Sequence, residues 1–249
     1  MENNTQRKVL FLGSRKSMYT KYDTEIADII EWDIKSWSPS LDFWTKESSR
    51  DFSCANALEI GSRNGGLSLW LAKQGCRVVC SDVNGPTEKA RELHAKYRLN
   101  DLIEYSNIDA TSIPYEDDYF DIIVFKSVLG GIGYNDNKEA QIKAVKEIYR
   151  VLKPGGELFF AENLTASPFH KVLRDKFVRW GSTWRYVSID EIKEFLGGFS
   201  HSKYLTTGFL AALGRSEGQR GILSTLDRIF LNKIVPDKWK YIIIGVAKK

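Results

Sequence analysis

The segment Glu59-Ile-Gly-Ser-Arg-Asn-Gly-Gly66 is where this chain is best equipped for chemistry. It joins an apolar run, Ala57-Leu-Glu-Ile60, to a helical pattern that begins at Gly65. Glycine after a strand lets the backbone turn sharply and lets a ligand approach closely. The helix start beyond it offers unpaired N–H groups to a carboxylate or phosphate. Alone, such a turn has low specificity. Asp82 raises it, because it ends the next apolar run about 20 residues after Gly61, where a carboxylate can accept the hydroxyls of a ribose. Asp109, in Asn107-Ile-Asp-Ala110, follows the third run and could accept from an adenine amino group. Acids at the ends of three successive strands disfavour a diphosphate and favour a neutral or cationic nucleoside.

These residues need strands and helices to hold them. Ala57–Ile60, Arg77–Ser81, Ile103–Ser106, Asp121–Phe125 and Glu157–Ala161 read as strands. Helical patterns at Gly65–Lys73, Thr87–Tyr97 and Lys138–Leu152 alternate with them, the last stopped by Pro154-Gly-Gly. Near-continuous apolar strands alternating with helices imply a parallel sheet covered on both faces. The expected class is α/β, a doubly wound seven-stranded sheet, mostly parallel with an antiparallel C-terminal strand. Residues 1–249 read as one domain. Residues 1–55 form a helical N-terminal extension or lid, and 56–249 a Rossmann-like core. A helical insertion lies around 215–237, between strands expected at His201–Leu213 and Trp239–Val246. Its apolar residues Ile222, Leu223, Leu226, Ile229, Phe230 and Ile234 recur at helical spacing, and packing of that stripe on the sheet is the favoured reading.

Composition narrows the class. At 43% hydrophobic and 27% charged residues the 249-residue chain is an ordinary globular sequence. No apolar run approaches the roughly 18 residues needed to cross a bilayer. The apolar stretch Val9–Leu12 is too short for a secretory signal, so a cytoplasmic location is expected. Cys54, Cys76 and Cys80 form no metal-type pair, and no metal is expected. Cys76 and Cys80 read as small buried hydrophobes.

Taken together, Leu58–Gly66, Ser81-Asp-Val83, Asn107–Ala110, Phe120–Phe125 and Val151-Leu-Lys-Pro-Gly-Gly-Glu157 resemble the class I S-adenosylmethionine-dependent methyltransferases. The resemblance is close over about residues 55–162. It implies S-adenosyl-L-methionine as cofactor. Glu59, Gly61, Ser62 and Gly65 would hold its methionine part, Asp82 and Val83 its ribose, and Asp109 and Ala110 its adenine. Lys126 and Ser127 would flank the methionine part and the acceptor. Arg63 departs from the pattern, since many members carry glycine there, and it is counted with the cofactor-binding residues. The Trp32–Trp37 stretch with this Glu59–Gly66 variant is similar to methyltransferases of bacterial surface-polysaccharide pathways.

The family's in-line displacement makes a general base optional. Its candidates are His170, whose ordinary pKa suits neutral pH, and Glu162. Tyr19, Tyr22, Trp32, Trp37 and Trp44 could cover the cofactor, with cation–π contact to a sulfonium. The expected acceptor is a small molecule or glycan methylated on oxygen. Arg174, Lys176, Arg179 and Arg185 could meet an anionic one. Arg220, Arg228, Lys233 and Lys238 flank the apolar stripe and admit peripheral membrane contact, which is the less favoured reading. The net charge of +4, without an added RNA-binding module, disfavours nucleic acid. The alternatives are an RNA methyltransferase, a catalytically silent subunit with this fold, and a nicotinamide dehydrogenase. The last is disfavoured by the missing G-x-G-x-x-G spacing. Oligomeric state is left open.

Overall fold

The computed structural model describes residues 24–177 and 183–249. Tyr19, Tyr22 and Arg179, named above, lie outside them. Seven strands form one sheet in the order β3-β2-β1-β4-β5-β7-β6. They are β1 (Asn56–Ile60), β2 (Arg77–Asp82), β3 (Ile103–Asn107), β4 (Phe120–Lys126), β5 (Leu152–Asn163), β6 (His201–Thr207) and β7 (Ile242–Lys248). Strands β1 to β5 pair in parallel, and β7 runs antiparallel between β5 and β6. The doubly wound, mostly parallel expectation is therefore met.

Successive strand residues point to opposite faces, and both faces are apolar. Ala57, Ile122, Val124, Phe159 and Ile244 join one buried cluster, while Leu58, Ile123, Phe125, Phe160 and Ile243 join the other. From β1 the sheet continues one way into β2 and the other way into β4. That reversal leaves a crevice at the carboxyl ends of β1, β2 and β4.

The N-terminal helices are α1 (Thr24–Ile30), α2 (Ile34–Trp37) and α3 (Pro39–Glu47). Helix α3 belongs to the core rather than to a lid. Its Trp44 is fully buried, stacks on Phe159 at 6.0 Å and donates Nε1–H to the Gly245 carbonyl at 3.1 Å. Helix α1 lies on α4 (Gly66–Lys73) so closely that a Cβ on Gly66 would fall 2.0 Å from the Ile29 carbonyl oxygen. Helix α5 (Glu88–Lys96) follows β2, α6 (Leu129–Ile132) and α7 (Lys138–Val151) follow β4, and α8 (Pro168–Phe177) follows β5. Helix α9 (Ile189–Phe195) precedes β6. Cys76 and Cys80 are buried, whereas Cys54 is exposed.

Two expectations for the last third are corrected. Strand β6 ends at Thr207, not Leu213. Gly208 turns the chain, and the buried Asp227 carboxylate then accepts the N–H groups of Phe209, Leu210 and Ala211 at 2.8–2.9 Å. The insertion is helical, as α10 (Glu217–Leu226), a π-helical turn (Asp227–Leu231) and α11 (Asn232–Ile234). Of its apolar stripe only Leu223 packs against the core; the rest turns outward. Gly221, Ser224 and Asp227 are buried, while Ile222, Leu226, Ile229, Phe230 and Ile234 face solvent.

Candidate active site

The Gly61–Gly66 turn sits in the crevice. Gly61 and Gly65 both have left-handed backbone, with φ 65° and 75°. At Gly65 the absence of a side chain is required twice over, since a Cβ would also meet the His94 ring at 2.6 Å. His94 is buried and bridges the Gly65 carbonyl and the Tyr105 hydroxyl, each at 2.8 Å. The loop is thus shaped from behind by α5 and β3. Ser62 is buried in the turn, and its Oγ meets no oxygen or nitrogen partner among the described residues.

Glu59 lines the small cavity beside Gly61 and Lys126 and at the same time holds the start of α4. Its carboxylate accepts Leu67 N–H at 3.3 Å, Ser68 N–H at 2.7 Å and Ser68 Oγ–H at 2.5 Å. These are donors of the first turn of α4, which a helix leaves unpaired. Burial pushes the Glu59 carboxyl up to about 8, against the opposing effect of the Ser68 donors.

Asp82 ends β2 half-buried, and its Oδ2 accepts Arg63 N–H at 3.2 Å. Val83 beside it is 62% exposed, which marks this side of the crevice as open. Asp109 uses Oδ1 to hold the Thr111 amide and hydroxyl, both at 2.8 Å, and Ala110 is buried under it. The β2–β3 register sets Asp82 opposite Asn107, so the Asp82 and Asn107–Ala110 segments are neighbours at one sheet end.

The other side of the crevice is closed. Lys126, at the end of β4, is buried and donates to the Ile30 carbonyl at 2.8 Å. Its ammonium lies 3.0 Å from the Trp32 ring centroid. Burial pushes the Lys126 pKa down, opposed by the carboxylates of Glu31 and Glu59. The guanidinium of Arg63 stands 5.2 Å from the same Trp32 ring and 3.8 Å from Glu31. Arg63 itself has left-handed backbone, φ 51°, which turns its side chain outward to Trp32. Glu31 also accepts Asn64 Nδ2–H at 2.8 Å. The cavity left among Glu31, Trp32, Gly61, Ser62, Arg63 and Lys126 is about 10 Å³, room for one water at most. Trp32 is flanked by Glu31 and Asp33, both left-handed at φ 69° and 45°. Sequence reasoning found Trp32 but missed Glu31.

Ser127 is held by Asn163, whose Nδ2–H donates to Ser127 Oγ at 2.6 Å. The two candidate bases are engaged inside the protein. Glu162 accepts the amides of Val128, Leu129 and Asn163 at 2.7–2.8 Å and so fixes the turn after β4. Burial lifts its pKa to about 7. His170 is buried between Ser167 Oγ at 2.7 Å and the Phe209 carbonyl at 2.8 Å, and burial lowers its pKa.

A cavity of about 550 Å³ opens between Thr165, just past β5, and Thr183–Tyr186. Arg174 reaches into its lining from α8, 3.9 Å from the Tyr186 ring centroid, and donates to the Thr165 carbonyl at 3.0 Å. Burial depresses its pKa. Arg185 is instead tied to Asp136, Gln141 and Glu191. Trp184 packs against Gly130, and Arg185 N–H donates to the Gly130 carbonyl at 3.1 Å, which anchors this wall to the turn after β4. The sequence signal for this wall was the aromatic pair flanking Arg185, which went unused. Lys176 on α8 is exposed and does not line this cavity.

Residues 58–160 match the methyltransferase domain family. A demethylmenaquinone methyltransferase of Clavibacter sepedonicus is 33% identical over 106 residues, 42% of this chain and 40% of that protein. A ubiquinone/menaquinone biosynthesis C-methyltransferase of Pectobacterium carotovorum is 27% identical over 63% of this chain and 60% of its own length. The chain therefore spans less than two thirds of the length of these relatives. Among solved structures, Haemonchus contortus phosphoethanolamine N-methyltransferase 2 with S-adenosyl-L-methionine superimposes with a TM-score of 0.62 at 20% identity, over 91% of this chain and 57% of that one. The [4+2]-cyclase SpnF shares the fold too, with a TM-score of 0.56 at 18% identity over 84% of this chain and 79% of that one, so the fold alone does not decide the reaction. The matched segment runs from β1 into β5 and holds the glycine turn between β1 and α4, so over residues 58–160 this chain is similar to the methyltransferase domain family, and its sheet order agrees with that likeness.

Proposed function

We propose that this chain methylates a small anionic acceptor with S-adenosylmethionine, in the cytoplasm. The observation that carries the reading is the crevice at the switch point. There Asp82 has one carboxylate oxygen bonded to the Arg63 amide, beside exposed Val83 and the buried Ser62 Oγ, which has no oxygen or nitrogen partner among the described residues. A ribose diol suits a half-buried carboxylate, and a polar ligand suits that hydroxyl. The residues present thus fit an adenosine moiety. Asp82 with Val83 would hold the ribose, and Asp109 with Ala110 the adenine. Gly61, Ser62 and Gly65 would face the methionine part.

When bound, S-adenosylmethionine supplies a methyl group already activated on a sulfonium. The protein's task is then to orient the acceptor and exclude water. Glu162 and Asn163 fix the Ser127–Leu129 turn at the end of β4. Arg174 would hold the acceptor's anion, with Trp184 and Tyr186 against its apolar body. The engaged state of His170 and Glu162 favours an oxygen nucleophile acidic enough to ionise without a protein base.

Calorimetry with S-adenosylhomocysteine and NADH tests the cofactor, and heat with NADH alone would overturn the reading. For the acceptor, Arg174→Gln is expected to raise KM for carboxylated or phosphorylated acceptors about tenfold with little change in kcat. An equal effect on neutral acceptors would remove the anion from the proposal.

The closed side yields a second expectation. A cavity of about 10 Å³ beside Gly61 is too small for a methionine chain, and we propose that the Trp32 ring moves aside to admit it. Trp32→Ala should speed association of S-adenosylhomocysteine in stopped-flow fluorescence and leave that of adenosine unchanged. Equal acceleration of both, or of neither, would show that Trp32 gates nothing.

A further inference from the structure

The outward stripe on the C-terminal insertion has a consequence independent of the methyl-transfer reading. Ile222, Leu226, Ile229, Phe230 and Ile234 fall at helical spacing along α10, the π-helical turn and α11. Ile222 is 69% exposed, Phe230 62% and Ile234 74%, and Trp239 beyond them is also exposed. Scattered apolar residues on a surface need no explanation, but a contiguous helical stripe does.

The stripe is held outward by specific bonds. Asp227 binds the Phe209–Ala211 amides, and Asn232 Oδ1 accepts Gly208 N–H at 2.9 Å. At the other end, Glu217 accepts the amides of Asp33 and Ile34 at 2.8 and 3.2 Å. A helix pinned through its polar residues cannot roll to bury its apolar face.

Lysines stand at the exposed edge of the stripe. Lys233 lies within it and Lys238 at its end, both exposed. The nearby acids are already matched: Glu217 to Arg220, Asp237 to Lys240, and Asp227 to backbone amides. Long lysine stems can lie along an apolar surface while their ammonium groups reach phosphate. Phe169 and Val172 on α8 are also exposed, at 53% and 50%, and His170 between them ties α8 to the loop after β6 through the Phe209 carbonyl.

We infer that the α10–α11 face docks the protein on an anionic lipid bilayer, with Phe230 and Ile234 entering the headgroup boundary and Lys233 and Lys238 meeting lipid phosphate. Because β7 runs antiparallel to β5, the start of β7 and the end of β6 lie at the carboxyl end of the parallel strands. Docking there sets the crevice end of the sheet toward the membrane.

Vesicle sedimentation of the full chain tests this. Binding is expected to vesicles of phosphatidylcholine with about 30 mol% phosphatidylserine, to weaken in high salt, and to fall about tenfold on phosphatidylcholine alone. Phe230→Glu with Ile234→Glu should abolish it. Both side chains are exposed, so the melting temperature should be unchanged and serves as the folding control. Absence of binding, or binding that survives the double substitution, overturns the proposal. So does a concentration-dependent dimer, seen by analytical ultracentrifugation without vesicle binding and dissolved by the same substitutions, which would assign the face to a second copy.

Discussion

Asp82→Ala is expected to weaken S-adenosylhomocysteine binding by about two orders of magnitude, read by calorimetry, with little change in the melting temperature of the free protein. A carboxylate accepting a hydroxyl contributes roughly 1.5–3 kcal/mol per bond, so loss of two such bonds costs about 3 kcal/mol or roughly a hundredfold in affinity. The structural cost is small by comparison. Asp82 is only half-buried, and among the described residues its side chain bonds the Arg63 amide alone, at 3.2 Å. Asp82→Asn keeps one acceptor oxygen and should fall between the two. Unchanged affinity in the alanine variant would move the ribose elsewhere in the crevice. A collapse of melting temperature alongside affinity would make Asp82 a pin for the Arg63 turn instead.

What could be read from the sequence follows from which forces are local. Strands β1, β2 and β4 were legible because parallel strands buried on both faces must be apolar along nearly their whole length. The glycine turn was legible because Gly61 and Gly65 are needed for backbone geometry that neighbours in sequence determine. Glu59 was harder. Its identity suggested a ligand contact, but its carboxylate direction depends on amides eight and nine residues later, at Leu67 and Ser68. Strand β6 was read too long because the acid that captures its last amides, Asp227, comes from a later element. The α10–α11 segment shows a further limit. Periodicity reveals that an apolar stripe exists, whereas Gly221 and Ser224, on the buried side, decide that it faces outward. The Arg174 cavity was half legible: its cation was named, but Trp184 and Tyr186 needed the fold to become its wall.

Glu59 also separates two roles that a glycine-rich site combines. As a ligand contact, its loss would reduce cofactor affinity and spare stability. As a buried cap of α4, its loss strands Leu67 N–H, Ser68 N–H and Ser68 Oγ, at about 3 kcal/mol for the set. For a chain of this size that corresponds to a fall in melting temperature of roughly 6–12 °C. Glu59→Ala is therefore expected to melt that much lower by calorimetry and to bind S-adenosylhomocysteine weakly because the turn is loosened. Normal melting with lost affinity would return Glu59 to the ligand. The pH dependence gives an independent check. Burial raises the Glu59 carboxyl from an ordinary 4.5 to about 8, so across that window the folded chain keeps a proton that the unfolded chain releases. Its contribution is complete below the unfolded pKa and is lost as pH rises through about 8. The 2.5 Å contact with Ser68 Oγ accommodates that proton, since either oxygen can donate. Glu59→Gln does not titrate, and its melting temperature should fall less steeply than that of the parent chain between pH 5 and 8. Parallel profiles would mean that the Glu59 carboxyl titrates alike in the folded and unfolded chains, and that the cap is ionised throughout.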